Sequence, residues 1–232
     1  MLLPASMAFG PDLMQVKDWA LPTQPLPRTA LRIEKGQGKH WAAHLARLRN
    51  GAIFLGWDAS WLGECFDQAR VWVSGAEHAV CRLRVFPGAL HARVDPPPSR
   101  RSPYRLRPMA HPLMDLRGQA RAALKGLLGP WDQTVLEVAS QVGAEDAMLI
   151  WPDGTLAETA ISACGFLQEG SFRMPPPEGR VESITETLDL PDWARKRGWK
   201  LHQGPIFPEE IKLGQIWCMN AARGLWQAET IN

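Results

Sequence analysis

The strongest constraint on the fold is a break. Residues 95–113 (DPPPSRRSPYRLRPMAHPL) hold five prolines before Pro112 and show no apolar period. Proline fixes φ and withdraws a backbone donor, so a helix or central strand does not run through such a stretch. The stretch therefore reads as a crossover between two halves, 1–113 and 114–232. With 232 residues the chain can bury a core without metal or disulfide staples. Its 45% apolar and 22% charged residues exclude a disordered chain.

Each half mixes short strands with helices. In the first, residues 1–28 carry no sustained period and suggest short strands and loops. TALRIE (29–34) is a strand, followed by a turn at 35–38 (KGQG). In KHWAAHLARLRNGAIFLG (39–56), Trp41, Leu45 and Leu48 recur at helical spacing. Residues 66–73 read as a passage from helix to strand. VCRLRV (80–85) and LHARV (90–94) alternate around Pro87-Gly88-Ala89, the pattern of a hairpin with one wetted face. In the second half, 116–143 is helical to Gly143. AMLIW (147–151) is a buried strand, 152–154 a tight turn, and 155–158 a returning strand that 162–167 continues. A helix at 186–198 stops at Gly198, and 216–219 is a last strand. The class is α+β in two lobes.

Charge narrows the partners. With 26 basic and 24 acidic residues, the chain lacks the basic footprint of a nucleic-acid binder. Arg100, Arg101, Arg105 and Arg107 sit among prolines and read as a solvated linker. Cys65, Cys81, Cys164 and Cys218 form no CxxC pair and read as buried apolar groups in a reducing compartment. No segment has the ~18 apolar residues of a membrane helix. The N-terminus lacks a basic n-region and is broken by Pro4 and Pro11, so the expected location is the cytoplasm. No nucleophile elbow, P-loop or dinucleotide fingerprint is present. His40 and His44 stand four apart but lack a third ligand, so no metal site is expected. Glu145 and Asp146 are adjacent carboxylates expected to face solvent before a strand.

Three segments, in order, resemble the fold-type IV pyridoxal-phosphate enzymes, the class IV aminotransferase family. LRIEKGQGKHWAAHLARL (31–48) is similar to the family's strand, turn and helix ending in H-x-x-R-L. There the arginine holds the cofactor phosphate, which implies Arg47. RAALKGLLGPW (121–131) resembles the stretch bearing the Schiff-base lysine, here Lys125. GAEDAMLIWPDGTLAETAIS (143–162) resembles A-D-E-A-L-L-L-D-x-x-G-x-V-x-E-x-x-x-S, whose glutamate pairs with the pyridine nitrogen, here Glu158. Positions 125 and 158 stand 33 apart, an ungapped fit to the aminodeoxychorismate lyase members. GRVESIT (179–185) resembles the G-x-V-x-x-G-I-T loop whose amides cradle phosphate, implying Ile184 and Thr185. IWCMNAARGLWQAETI (216–231) resembles the terminal strand and loop near the substrate, implying Asn220, Ala221 and Trp226.

The residue types suit that chemistry. Lys125 offers a nucleophilic amine, Glu158 an acidic partner for a protonated ring nitrogen, and Arg47 a cation for phosphate. Taken singly, each has a plainer role: a solvated lysine, the wet edge of a helix, an edge-strand carboxylate. Order and spacing favour the cofactor. The resemblance implies a two-lobed fold, a small N-terminal α/β lobe (1–113) with the phosphate arginine and a C-terminal pseudo-barrel lobe (114–232) with the lysine and glutamate. It implies pyridoxal 5'-phosphate as cofactor, a small amino substrate and a homodimer. The activity closest to this pattern releases pyruvate from aminodeoxychorismate to give p-aminobenzoate for folate synthesis. An aminotransferase acting on branched-chain or D-amino acids shares the same cofactor residues. So does a member that kept the fold and lost the chemistry.

Departures gather on the substrate side. PLPRTALR (25–32) replaces F-G-x-G-x-F-E-T-L-R. Ala163 stands for an asparagine, Ser183 for the loop glycine, Glu186 for an arginine, and Gln227 and Ala228 for P-V. Eleven Trp against one Tyr is unusual, and Trp41, Trp131, Trp151, Trp217 and Trp226 flank the implied site segments. Such rings are expected to pack lobes or a dimer face, with Trp226 the one to test against substrate.

Overall fold

The computed structural model describes residues 6–10, 25–99, 103–113, 124–127 and 131–231. They form two compact units. Unit 1 lies within Met1–Pro98 and Leu124–Pro130, and unit 2 within Ser99–Ala123 and Trp131–Asn232.

Unit 1 is a five-stranded antiparallel sheet with two helices on one face. Its strands are β1 (Ser6–Phe9), β2 (Arg28–Glu34), β3 (Gln37–Gly38), β4 (His78–Phe86) and β5 (Ala89–Asp95), in the order β1-β5-β4-β2-β3. Its helices are α1 (Trp41–Phe54) and α2 (Leu62–Val73). Alternation fixes the buried face of β2: Thr29, Leu31 and Ile33 point inward, with Arg28, Ala30, Arg32 and Glu34 on the other side. Lys35 and Gly36 both have positive φ between Glu34 and Gln37, the two-residue turn that suits strand twist. On α1 the buried residues His44, Leu48, Gly51 and Ala52 follow helical spacing and meet the sheet. A Cβ at Gly51 would stand 2.7 Å from Pro27, so the small residue lets the helix approach the start of β2. The core joins Leu31, Ile33, Leu48, Phe66, Val73, Leu83 and Leu90, with Trp41 edge-on to Phe66. Residues 66–73 are helix throughout, because Phe66, Ala69 and Val73 share one buried face.

Unit 2 is built on an eight-stranded mixed sheet. It contains β6 (Tyr104–Ala110), α3 (Trp131–Ser140), β7 (Asp146–Ile150), β8 (Leu156–Thr159), β9 (Ala163–Gln168) and β10 (Ser171–Met174). There follow α4 (Ile184–Leu188), α5 (Leu190–Arg197), β11 (Lys200–Gln203), α6 (Pro208–Ile211), β12 (Gln215–Asn220) and β13 (Gly224–Thr230). The strand order is β11-β10-β9-β12-β13-β6-β7-β8. Val135 and Ala139 of α3 pack on Ala147, Leu149 and Trp151, and Leu190 of α5 packs on Phe172, Met174 and Met219.

Three further sequence expectations change. The Pro-rich crossover contains a strand: β6 pairs in parallel with both β13 and β7, and Pro108 is tolerated within it. That pairing seats β6 in unit 2, so the partition falls before it. Residues 162–167 do not continue β8. A turn closed by the Thr159 N–H donating to the Ser162 carbonyl (2.9 Å) starts the separate strand β9. The helix expected over 116–143 is described only at 131–140; residues 114–123 and 128–130 lie outside the described residues. All four cysteines are free and buried. Among the described residues, no helix is long and apolar enough to cross a membrane.

Candidate functional site

In unit 1 the implied cofactor residues gather around one imidazole. His44 is 1% exposed on the buried face of α1, and its Nδ1 lies 2.6 Å from the Thr29 hydroxyl. Burial, and after it the charges of Arg47, Lys125 and His40, push its pKa down to about 3. The imidazole is therefore neutral, and Arg47 and Lys125 both lie within range of its field. Arg47 is half-buried one turn beyond His44.

Lys125 is set by main-chain bonds. Its carbonyl accepts the Arg28 N–H at 3.2 Å, and the Gly126 carbonyl accepts the Leu26 N–H at 3.1 Å. Residues 124–127 thus lie along the start of β2, which is why they group with unit 1 rather than with the C-terminal half. Gly126 has φ +94°, and a Cβ there would meet the Leu26 carbonyl oxygen at 2.1 Å. Only glycine fits that turn and that approach.

In unit 2 the implied residues sit in a denser polar network. Glu158, on β8, is 6% exposed, and its Oε1 accepts the Val181 N–H at 3.1 Å. Val181 belongs to a loop drawn around Arg180. The guanidinium donates from Nε to the Pro176 carbonyl and from Nη2 to the Pro175 carbonyl, both at 3.0 Å. It also clasps Glu186 with two bonds of 2.5 and 2.6 Å. Arg180 is 3% exposed, and its pKa rises despite burial because Glu186 and then Glu158 favour the charged form.

The loop ends at α4. The Ser183 side chain caps it by accepting the Glu186 N–H at 3.2 Å. The first helical turn leaves the Ile184 and Thr185 amides without intrahelical acceptors. Beside them the Thr185 hydroxyl is buried and has no partner. A phosphate oxygen is the kind of acceptor this arrangement suits. Within unit 2, the Glu158 carboxylate and this turn are residue types that suit a protonated ring nitrogen and a phosphate; within unit 1, Lys125 and Arg47 are types that suit an aldehyde and a phosphate.

The substrate-side expectations land on structural roles. Asn220 shapes the β12–β13 turn, its Oδ1 accepting the Ala222 and Arg223 N–H groups at 3.1 and 2.8 Å. Its Nδ2 donates to the Ser162 hydroxyl at 3.1 Å. Ala221 lies half-buried in the same turn. Trp226 packs edge-on to Tyr104 at 5.5 Å, with the Arg223 guanidinium over both rings, and its indole N–H finds no acceptor. Three other tryptophans pack against rings as well: Trp131 and Trp151 flank His111, and Trp199 stacks on Phe172.

One carboxylate differs from expectation. Glu145 is half-buried, its side chain accepting the Arg105 N–H at 2.7 Å, and Asp146 is fully buried. Asp146 begins the inward phase of β7 and accepts from the Thr159 hydroxyl at 2.6 Å and the Ala147 N–H at 2.8 Å. Burial outweighs those bonds and pushes its pKa up to about 7. Asp146 and Thr159 therefore brace the turn that follows Glu158. Among the described residues, no group of three or more His, Cys, Asp or Glu could hold a metal.

Comparison with known proteins supplies the class. The sequence model of the amino-transferase class IV family matches residues 132–231. No curated protein matches the chain. A hypothetical aminotransferase from Mycobacterium tuberculosis, solved with alpha-ketoglutarate and PMP bound, superposes with a TM-score of 0.80 at 21% identity, covering 95% of this chain and 86% of that one. The 4-amino-4-deoxychorismate lyase of Pseudomonas aeruginosa gives 0.76 at 16% identity, covering 98% and 91%. A fold IV transaminase from Curtobacterium pusillum gives 0.74 at 18% identity, covering 89% and 79%. The chain has the fold of the fold-type IV enzymes, and its C-terminal residues carry the class IV sequence pattern. The solved neighbours include both lyases and aminotransferases.

Proposed function

We propose that this chain is a pyridoxal-phosphate enzyme of the aminodeoxychorismate lyase type, taking a small amino substrate, releasing pyruvate and leaving p-aminobenzoate. The observation that carries the cofactor reading is the Glu158 carboxylate, buried and held by the Val181 amide at the motif position for the ring-nitrogen partner. When bound, pyridoxal phosphate supplies an electron sink for the carbon that loses its proton. The chain's own residues do the rest. Lys125 would bind the cofactor aldehyde through its amine and, once displaced by the substrate amine, carry the proton taken from the substrate. Burial first, and then the Arg47 and Lys125 charges, keep His44 neutral, so no imidazolium competes there for the phosphate. By the motif positions, Glu158 would keep the ring nitrogen protonated, and Arg47, Ile184 and Thr185 are each the residue assigned to the phosphate. The spacing of Lys125 and Glu158 favours the lyase over the aminotransferase.

The test begins with colour. Protein incubated with pyridoxal phosphate should turn yellow, and borohydride should fix the cofactor to the peptide bearing Lys125. Lys125→Ala should lose that attachment and about 10²–10⁴ in rate, the usual worth of a positioned proton carrier. A colourless protein refutes the reading. A lyase releases pyruvate without a second substrate, whereas ping-pong kinetics with an amino acid and a 2-oxo acid would point to an aminotransferase. The homodimer and the cytoplasmic location implied by the same resemblance are checked by sedimentation and by fractionation.

A further inference from the structure

One buried charge pair in unit 2 has no place in the chemistry above. Arg180 is the most enclosed arginine of the described residues whose partners are known, with two carbonyls and a carboxylate saturating its fork. Burying such a pair is costly, and surrounding apolar packing would hold a loop as well. What the pair does locally is specific. The bonds to Pro175 and Pro176 curl 175–180 back on itself, and the clasp on Glu186 ties the far end of the loop to α4. Val181, the residue after Arg180, is thereby fixed with its N–H aimed at Glu158.

We propose that Arg180 is a positioning residue that holds the Val181 amide against the Glu158 carboxylate and keeps that carboxylate ionised and oriented. This rests on the reading of Glu158 as the ring-nitrogen partner. Arg180 and Cys164 of β9 both feel the Glu158 charge, and Glu186 of α4 and Asp146 of β7 act on the same Cys164. Glu186 sets how much of the Arg180 charge reaches Glu158. The two members of the pair therefore act on Glu158 with opposite sign, although both stiffen the loop. A role limited to packing gives both variants the same sign.

Carbon-detected NMR of the cofactor-free protein, with amide exchange at Val181, decides it. Arg180→Gln should raise the Glu158 pKa by about one unit, since a nearby cation is lost. Glu186→Gln should lower it, and Arg180→Lys should keep the charge effect while losing the protection of the Val181 amide. Arg180→Gln and Arg180→Lys should each speed Val181 exchange about tenfold, the loss of a locally ordered loop. In protein loaded with pyridoxal phosphate, Arg180→Gln should weaken cofactor affinity about tenfold, and Glu186→Gln much less. Unchanged Glu158 titration and Val181 exchange in folded Arg180→Gln overturn the proposal. Should Arg180→Gln not fold, a Glu158 pKa that is unchanged or raised in Glu186→Gln, or a Val181 amide as protected in Arg180→Lys as in wild type, overturns it. Failure of the wild type to take up pyridoxal phosphate overturns the cofactor reading instead, and the cofactor-free measurements still decide the role of Arg180.

Discussion

The two units place polar groups in opposite ways. Unit 1 keeps Arg47 and Lys125 half-buried at the margin of an apolar core and places one neutral imidazole beneath them. Unit 2 buries Asp146, Glu158 and Arg180 outright and satisfies them with a mesh of side chain and backbone. The difference teaches how each can be damaged. A carboxylate taken from water must be bonded on most sides, so its neighbours are as constrained as it is. A lysine or arginine with a wet tip needs only its stem and backbone fixed.

Four substitutions press on that contrast. The largest effect is expected at Arg180→Met, which strands Glu186 and should cost about 3–5 kcal/mol in chemical denaturation. A loss under about 1 kcal/mol would mean that unit 2 loses this pair as cheaply as a surface ion pair is lost.

Next comes pH, where Asp146 of unit 2 and His44 of unit 1 should act with opposite sign. Asp146 rises from its ordinary 3.8 to about 7, so its protonated form favours the folded state. Its stabilisation is complete below about pH 4 and fades as pH climbs to 7, at up to about 1.4 kcal/mol per pH unit. Asp146→Asn should flatten that slope. His44 falls from 6.5 to about 3, so its contribution is complete above pH 6.5 and fades as pH falls toward 3. His111 of unit 2, lowered to about 4 by burial, adds a further loss on the acid side. The comparison is therefore read by difference between each variant and wild type, and identical profiles for Asp146→Asn and wild type would refute the assignment.

Thr29→Val should cost about 1–3 kcal/mol, because the His44 Nδ1 is left buried without its hydroxyl partner. Urea melts that match wild type within a few tenths would show that the imidazole finds another bond. The smallest effect is Ser183→Ala, about 1 kcal/mol for a lost helix cap, with faster amide exchange confined to α4.

Legibility followed the same division. α1, β2 and the β4–β5 hairpin are plain in the sequence, because one buried face imposes a period on each. The motif residues of unit 1 ride on that period. β6 is hidden because prolines and arginines mask a strand whose pairing partners, β13 and β7, lie far along the chain. Asp146 looks like half of a solvated pair until the parallel neighbour β6 buries it. Arg180 sends no sequence signal at all. Its carboxylate partner is six residues on, a spacing of neither helix nor strand, and the pairing exists only once 175–186 has closed. Resemblance finds Glu158 but is silent about what holds it.

The main-chain bridge from Leu26 and Arg28 to Gly126 and Lys125 also has a history in time. Residues 26 and 126 are 100 apart, so a chain leaving the ribosome has made every strand of the first sheet long before the piece that finishes it. Until then two amide donors at the entrance of β2 wait for acceptors not yet synthesised. The segment that arrives to accept them is the one that bears Lys125. Closing the start of β2 and placing Lys125 depend on the same two hydrogen bonds, so a chain whose early sheet is malformed leaves residues 124–127 without the strand they pair with.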